Sequence, residues 1–217
     1  MMNTDFARRQ MVQQQVRTCD VTDPSVLRVI SELRRERFVP AEYAGLAFAD
    51  TEIPLQHGQA MMKPIVEARL LQALELRPKH NVLEIGTGTG YLTACLAKLS
   101  AAVSSVEIFS DFVDMAKSNL AEAEIENIEL LCMDATTEIP KGQFDAIAVT
   151  GSLPVFDSRF LDAVKPGGRL FIIVGDSPVM DACIVTRTDE SDRTTKSLFE
   201  TDVRQLLNVN RPSAFSF

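Results

Sequence analysis

Apolar residues recur at helical spacing near the start of the chain. In "DPSVLRVISELRRERFVP", Val26, Leu27, Ile30 and Leu33 fall on one face. Asp23 is placed to cap this helix with Pro24 at its first position, and Pro40 marks its end. The polar-rich segment from Asp5 to about Arg17 predicts a helix before it. Between Gly45 and Gly58 there is no helical period, and Pro54 interrupts the run, which predicts extended chain and loop. After Pro64, "IVEARLLQALEL" resumes an amphipathic helix.

From residue 81 the pattern becomes an alternation of short apolar runs and helical segments. "NVLEIG", "AVSSVEI", "NIELLC", "FDAIAVTG" and "GRLFIIVG" read as strands. "YLTACLAKL", "SDFVDMAKSNLAEA" and "SRFLDAV" read as the helices between them, the second capped by Ser110 or Asp111. Such alternation predicts an α/β fold, a parallel sheet doubly wound by helices on both faces. The stretch "DACIVTRTDESDRTTKSLFE" differs: two strand-like runs flank a polar turn at Asp189 to Asp192, which predicts an antiparallel hairpin on the sheet edge.

Composition narrows the function more than the fold. The 217 residues carry a formal charge of −8, which argues against a surface that tracks nucleic acid. No apolar run approaches the roughly 18 residues needed to cross a bilayer, and the start lacks a signal-peptide core, so a cytoplasmic location is expected. Cys19, Cys95, Cys132 and Cys183 stand singly with no zinc-type spacing; they predict reduced, mostly buried thiols and no metal site. One domain, 1–217, is expected, with 1–78 as a helical layer on the substrate side and 79–217 as the ligand-binding sheet.

Candidate chemistry lies in "LEIGTGTGY". Gly86, Gly88 and Gly90 sit between the first strand of the alternating region and its helix, where residues without a Cβ let the backbone approach a ligand. The spacing is GxGxG rather than the GxGxxG of a dinucleotide fingerprint. Glu107, at the end of the next strand, can accept hydrogen bonds from both hydroxyls of a ribose. One nucleoside with no pyrophosphate favours S-adenosylmethionine over NAD. Glu84 is placed to face that ligand's ammonium group and Asp134 to reach its adenine amino group; Thr87 and Thr150 complete the expected cofactor set.

These residues resemble a known family. "VLEIGTGTGYLTACLAKL" is similar to the cofactor motif of protein-L-isoaspartate O-methyltransferases. "VLRVISELRRERFVP", "IPLQHGQ", "FDAIAVTG", "KPGGRLFIIVG" and "IVTRTDESDRTTKSLFE" resemble further segments of that family. The resemblance covers nearly the whole chain. It implies a seven-stranded, Rossmann-like methyltransferase sheet with an N-terminal helical layer, and S-adenosylmethionine as cofactor. The implied reaction methylates the α-carboxylate of an L-isoaspartyl residue in damaged proteins, after which the ester collapses to a succinimide.

One stretch departs from the family. After the Gly-Gln pair the family carries Thr-Ile-Ser, whose serine hydroxyl contacts substrate; here Gln59 is followed by Ala60, Met61 and Met62. The family's terminal aromatic-Val-Pro-Leu segment is also replaced, by "TDVRQLL". Gln59 and Met62 are therefore the expected residues of the transfer site. The methionines offer an adaptable apolar wall, or fill core space as methionines ordinarily do. His57 and Lys63 flank the change and are candidates to pair with an acceptor carboxylate. Three functions follow: isoaspartyl repair, methylation of a less polar and small acceptor, or a catalytically silent cofactor-binding protein. A dinucleotide oxidoreductase is a distant fourth, since no second substrate domain is visible.

Overall fold

The computed structural model describes residues 4–189 and 192–210. Its first helix, α1 (Thr4–Gln10), runs into a wider-wound segment, Met11–Val16, and a tight turn, Arg17–Cys19. The expected helix is thus present but changes its winding. Widening to the i→i+5 pattern carries Met11 and Val16, five residues apart, into the same buried cluster. In α2 (Pro24–Glu32), Asp23 caps as expected, accepting from the backbone N–H groups of Ser25 and Val26 at 2.7 and 3.1 Å.

The helix α2 ends at Glu32, well before Pro40. Arg35 is the reason. Its side chain is fully buried, and its guanidinium must be satisfied inside the protein. Nε donates to the Ala47 carbonyl at 3.1 Å, Nη2 to the Met62 carbonyl at 2.8 Å, and Nη1 pairs with Glu67. The guanidinium carbon also stands 4.7 Å from the centre of the Tyr91 ring. A continued helix would carry Arg35 away from these partners, so the chain turns out of α2 at Leu33 and Arg34. Burial alone would make the guanidinium easier to deprotonate, but Glu67 more than offsets this and holds it charged.

The predicted loop region contains more structure than its sequence period suggests. A tight helical turn spans Ala41–Leu46, and a two-residue ribbon pairs β1 (Ile53–Pro54) with β2 (Ala60–Met61). Between them Gln56–Gly58 turns sharply, with His57 and Gly58 both in the left-handed region. Then α3 (Pro64–Leu74) begins directly after Lys63 and carries Glu67 inward to Arg35.

Alternation follows as expected: β3 (Asn81–Ile85), α4 (Tyr91–Leu99), β4 (Ala102–Glu107), α5 (Ser110–Glu122), β5 (Ile128–Cys132) and β6 (Phe144–Leu153). After these come α6 (Ser158–Asp162), β7 (Val164–Asp176), β8 (Val179–Arg187) and β9 (Arg193–Thr201). Among the described residues they form one seven-stranded sheet, ordered β5-β4-β3-β6-β7-β8-β9. The first five run parallel; β8 and β9 add the expected antiparallel hairpin. Of its turn, Glu190 and Ser191 lie outside the described residues. Neither Ser110 nor Asp111 caps α5: Phe109 holds the cap position without a side-chain bond, because Asp111 turns instead to His57.

Two apolar clusters flank the sheet. One joins the N-terminal layer, α3 and α4; the other lies under α6 and the hairpin. Cys95 and Cys183 are buried, Cys19 is half-buried and Cys132 exposed, so fewer thiols are buried than expected. Breaking one half of the Arg35–Glu67 pair leaves the other charge stranded. Glu67→Gln should lower unfolding stability by about 3 kcal/mol in urea titration, and Arg35→Met with Glu67→Leu should recover most of that loss.

Candidate active site

The order of the strands reverses between β4 and β6, on either side of β3, and the carboxyl ends of these strands open into a cleft. Its floor is the glycine turn between β3 and α4. Gly86 sits at φ +95°, and a Cβ there would run into Thr150 Oγ1. That hydroxyl donates to the carbonyls of Ile85 at 2.8 Å and Gly86 at 3.0 Å, which ties the turn to β6. Opposite Gly86, pairing between β6 and β7 slips between Ala148 and Ser152. Gly88, at φ +54°, directs its N–H to Glu107 Oε2 at 2.9 Å.

Glu107 is buried and oriented by three backbone donors. Besides Gly88, the N–H groups of Ile108 and Phe109 reach its Oε1 at 2.9 and 3.1 Å. A carboxylate has about four acceptor positions, so capacity remains toward the cleft it lines. Asp134 also lines the cleft. Its Oδ1 accepts from the Thr136 N–H at 2.8 Å and hydroxyl at 2.6 Å, and its Oδ2 from Asn208 at 2.8 Å. Burial pushes its pKa up, but these hydrogen bonds and the nearby Arg159 outweigh it and hold the carboxyl below its usual range.

Three of the expected cofactor residues, Glu84, Thr87 and Gly90, do not line this cleft. Glu84 is fully buried beneath the turn rather than on the cleft wall, its Oε2 accepting from the hydroxyls of Thr93 and Ser105, each at 2.5 Å. Thr87 joins the same chain of hydroxyls, 2.6 Å from Ser105 Oγ, so its side chain supports the turn from below. Burial pushes Glu84 up to about 8, partly opposed by those two hydroxyls. Gly90 packs behind the turn, where a Cβ would stand 3.2 Å from Ala116 Cβ in α5. The order of residues predicts a carboxylate and three glycines near the ligand; which of them face it depends on the rotation of β3 and α4.

The opposite wall is the departing loop. Gln59, Ala60 and Met62 all line the cleft, with Met62 only 8% exposed and its carbonyl held by Arg35. Met61 turns inward, opposite Ile53 in the ribbon. His57 and Lys63 do not line the cleft. His57 stacks on Phe109 with ring centres 4.0 Å apart, and its Nε2 meets Asp111 Oδ2 at 2.8 Å. This contact holds Asp111 below the usual carboxylate range.

The terminal stretch "TDVRQLL", marked in the sequence as departing from the family, closes the site together with apolar residues that the sequence did not mark. Val203 to Leu207 run along the cleft, fixed by an exchange in which Ser152 N–H donates to the Arg204 carbonyl and Leu206 N–H to the Ser152 carbonyl, each at 3.0 Å. Phe109, Phe112 and Met133 supply apolar wall. Phe109 was findable as the aromatic two places after a strand-end glutamate; Val203 to Leu207 reach the cleft only by tertiary folding.

The geometry suits an adenosine-bearing ligand. A backbone cradle that a side chain at Gly86 would fill lies beside an oriented carboxylate with free acceptor positions, and apolar side chains border it. Among the described residues no group of acidic, histidine or cysteine side chains is arranged to hold a metal ion, and no helix is long and apolar enough to cross a membrane.

Comparison with known proteins points the same way. The protein-L-isoaspartate(D-aspartate) O-methyltransferase profile matches residues 7–204. Among similar sequences, a protein-L-isoaspartate O-methyltransferase of Methanoculleus marisnigri is 38% identical over 175 residues, 80% of each chain. One from Methanospirillum hungatei is 34% identical over 188 residues, 86% of this chain and 87% of the relative. A Plasmodium falciparum crystal structure, described as a protein-L-isoaspartate O-methyltransferase in complex with S-adenosyl-L-homocysteine, superposes with TM-score 0.79. It covers 92% of this chain and 97% of its own, at 21% identity, and so shares the fold.

Two outcomes test the geometry. Glu107→Gln should weaken S-adenosylhomocysteine binding by about tenfold in calorimetry, and unchanged affinity would remove Glu107 from the ligand set. Glu84 has its folded pKa raised from 4.5 to about 8, so its contribution to stability is complete below pH 4.5 and is lost as pH rises through 8. Over that window the wild type should lose roughly 1.4 kcal/mol per pH unit from this group, a slope that Glu84→Gln abolishes in urea titrations at stepped pH.

Proposed function

The chain belongs to the protein-L-isoaspartate(D-aspartate) O-methyltransferase family, and we propose that it methylates isoaspartyl carboxylates with S-adenosylmethionine. The observation that carries this reading is the cleft itself: a glycine cradle and the oriented Glu107 on one wall, and the Gln59–Met62 loop facing them across the space. When bound, S-adenosylmethionine supplies a methyl group on a sulfonium that is already a good leaving group.

Little proton transfer is asked of the protein. The acceptor carboxylate is itself an anionic nucleophile, so the side chains need to bind, orient and exclude water. In this proposal Glu107 holds the ribose hydroxyls, and Asp134, whose Oδ atoms are already held by Thr136 and Asn208, borders the adenine. Gly86, Gly88 and Thr150 shape the floor, with Glu84, Thr87 and Gly90 supporting the turn from behind. Gln59 and Met62 meet the acceptor. A cytoplasmic setting belongs to the same proposal, in keeping with four cysteines that are all free thiols.

The apolar lining at Ala60 and Met62 favours a second reading, a less polar acceptor, by one specific observation: no hydroxyl stands where the family carries serine. An assay of methyl-ester formation on an isoaspartyl peptide separates the two. Wild type should form ester above a no-enzyme control. Met62→Ser should raise kcat/KM toward that peptide by about tenfold, as a restored hydrogen bond to a charged group predicts. Cofactor-bound wild type that forms no ester would refute the isoaspartyl reading, and a serine variant no faster than wild type would show that this loop serves a different acceptor.

A further inference from the structure

Resting on the isoaspartyl reading above, we infer that Arg204 holds the acceptor carboxylate and that Glu52 competes for it until substrate arrives. The cleft is lined mainly by acidic residues where it is charged at all. The residues lining it include three acidic ones, Glu52, Glu107 and Asp134, and, among the described residues, one basic one, Arg204. The chain as a whole carries −8. An anionic acceptor entering such a space meets like charge on several sides, and it binds only where an opposite charge offsets the repulsion. The hydroxyl donors are gone from Ala60 and Met62, which leaves Arg204 to supply that charge.

Of the other basic side chains near the loop, Arg35 is committed to the Ala47 and Met62 carbonyls and to Glu67, and two more are placed elsewhere. His57 is stacked on Phe109 and bonded to Asp111, and Lys63 is outside the cleft wall. Arg204 differs in having a fixed base and a free head. Its carbonyl accepts from the Ser152 N–H at 3.0 Å, and Gly151 lets the segment lie so close that a Cβ there would come within 3.1 Å of that carbonyl oxygen. Its side chain, by contrast, is 60% exposed and meets Glu52 Oε2 at 3.8 Å. That is well beyond the roughly 2.7–2.9 Å of a charge-assisted hydrogen bond, so the pair is loose and an incoming carboxylate can displace Glu52 at small cost.

The guanidinium suits this task because its planar fork matches a carboxylate. Each carboxylate oxygen keeps a lone pair beyond the one the fork engages, which leaves the group able to attack the methyl donor. Val203, Leu206 and Met62 border the same space, and their apolar surface lowers the local dielectric and strengthens the pairing once water is excluded. Arg204 thereby selects for a charged acceptor within a wall otherwise suited to an apolar one.

The test measures binding apart from turnover. An isoaspartyl peptide with a free α-carboxylate, and the same peptide with that group as a carboxamide, are titrated calorimetrically into the S-adenosylhomocysteine complex. Wild type should prefer the acid by about tenfold or more. Arg204→Gln should lose the preference, Arg204→Lys should regain part of it, and Glu52→Gln should tighten binding of the acid. In turnover, Arg204→Gln should raise KM far more than it lowers kcat. The affinity of each variant for S-adenosylhomocysteine reports whether the cofactor half is intact. Full retention of the acid preference in Arg204→Gln, or its absence in wild type, overturns the inference even where ester forms. Acid preference that depends on Arg204 supports it even where the wild type forms no ester, an outcome that sinks the proposed activity instead.

Discussion

A guanidinium buried out of reach of water must find its partners within the protein, and in this chain that requirement at Arg35 ties the Gln59–Met62 loop to the helix that follows the glycine turn. Its hydrogen bonds reach the Ala47 carbonyl, the Met62 carbonyl and Glu67, while its flat face covers Tyr91, the first residue of the helix after the glycine turn. Four segments from separate parts of the sequence therefore share one cation. Removing a buried charge's partner is expensive, so these segments hold one mutual arrangement. The contact with the Gln59–Met62 loop is to a backbone carbonyl. The loop's path is consequently held whatever side chain stands at position 62, which leaves that side chain free to vary without moving the cleft wall.

The cofactor side follows a related logic with carboxylates. Glu107 is held by three backbone N–H groups, Asp134 by Thr136 and Asn208, and Glu84 by two hydroxyls beneath the turn. Glu107 and Asp134 line the cleft; Glu84, pushed up to about 8 by burial, lies beneath the turn. The result is a cleft strongly organised for an adenosine group and negatively charged around it. A methyl acceptor that is itself an anion needs a local cation, and the segment that follows the hairpin supplies one. The departure of that segment from its family and the loss of hydroxyls in the Gln59–Met62 loop thus concern the same face of the cleft.

Much of this was legible in the chain. The periods of two and of about 3.6 locate the strands and helices after residue 81 because each element has one environment to satisfy, and Asp23 caps α2 because its carboxylate meets donors two and three residues away. Local chemistry of that kind needs no distant partner. Where expectation and structure differ, a distant partner is the cause. The end of α2 is drawn forward by Arg35 toward Glu67; the cap of α5 is lost because Asp111 answers to His57; His57 itself turns from the substrate to Phe109. Gly90 serves the packing of α4 on α5.

By itself the sequence determined the α/β alternation, the terminal hairpin, the glycine turn with its strand-end glutamate, and the apolar run Ala60–Met62 after the Gly-Gln pair. These depend on spacing and on local hydrogen bonding, which a linear chain already contains. Tertiary structure decided which carboxylates face the cleft and which lie beneath it, that Arg35 fastens the loop by its backbone, and that Val203 to Leu207 arrive beside Ser152 to bring Arg204 to the acceptor's side. Those outcomes depend on charges and donors far apart in sequence finding one another in a low-dielectric interior, where an unpaired group costs more than a bent helix or a displaced cap.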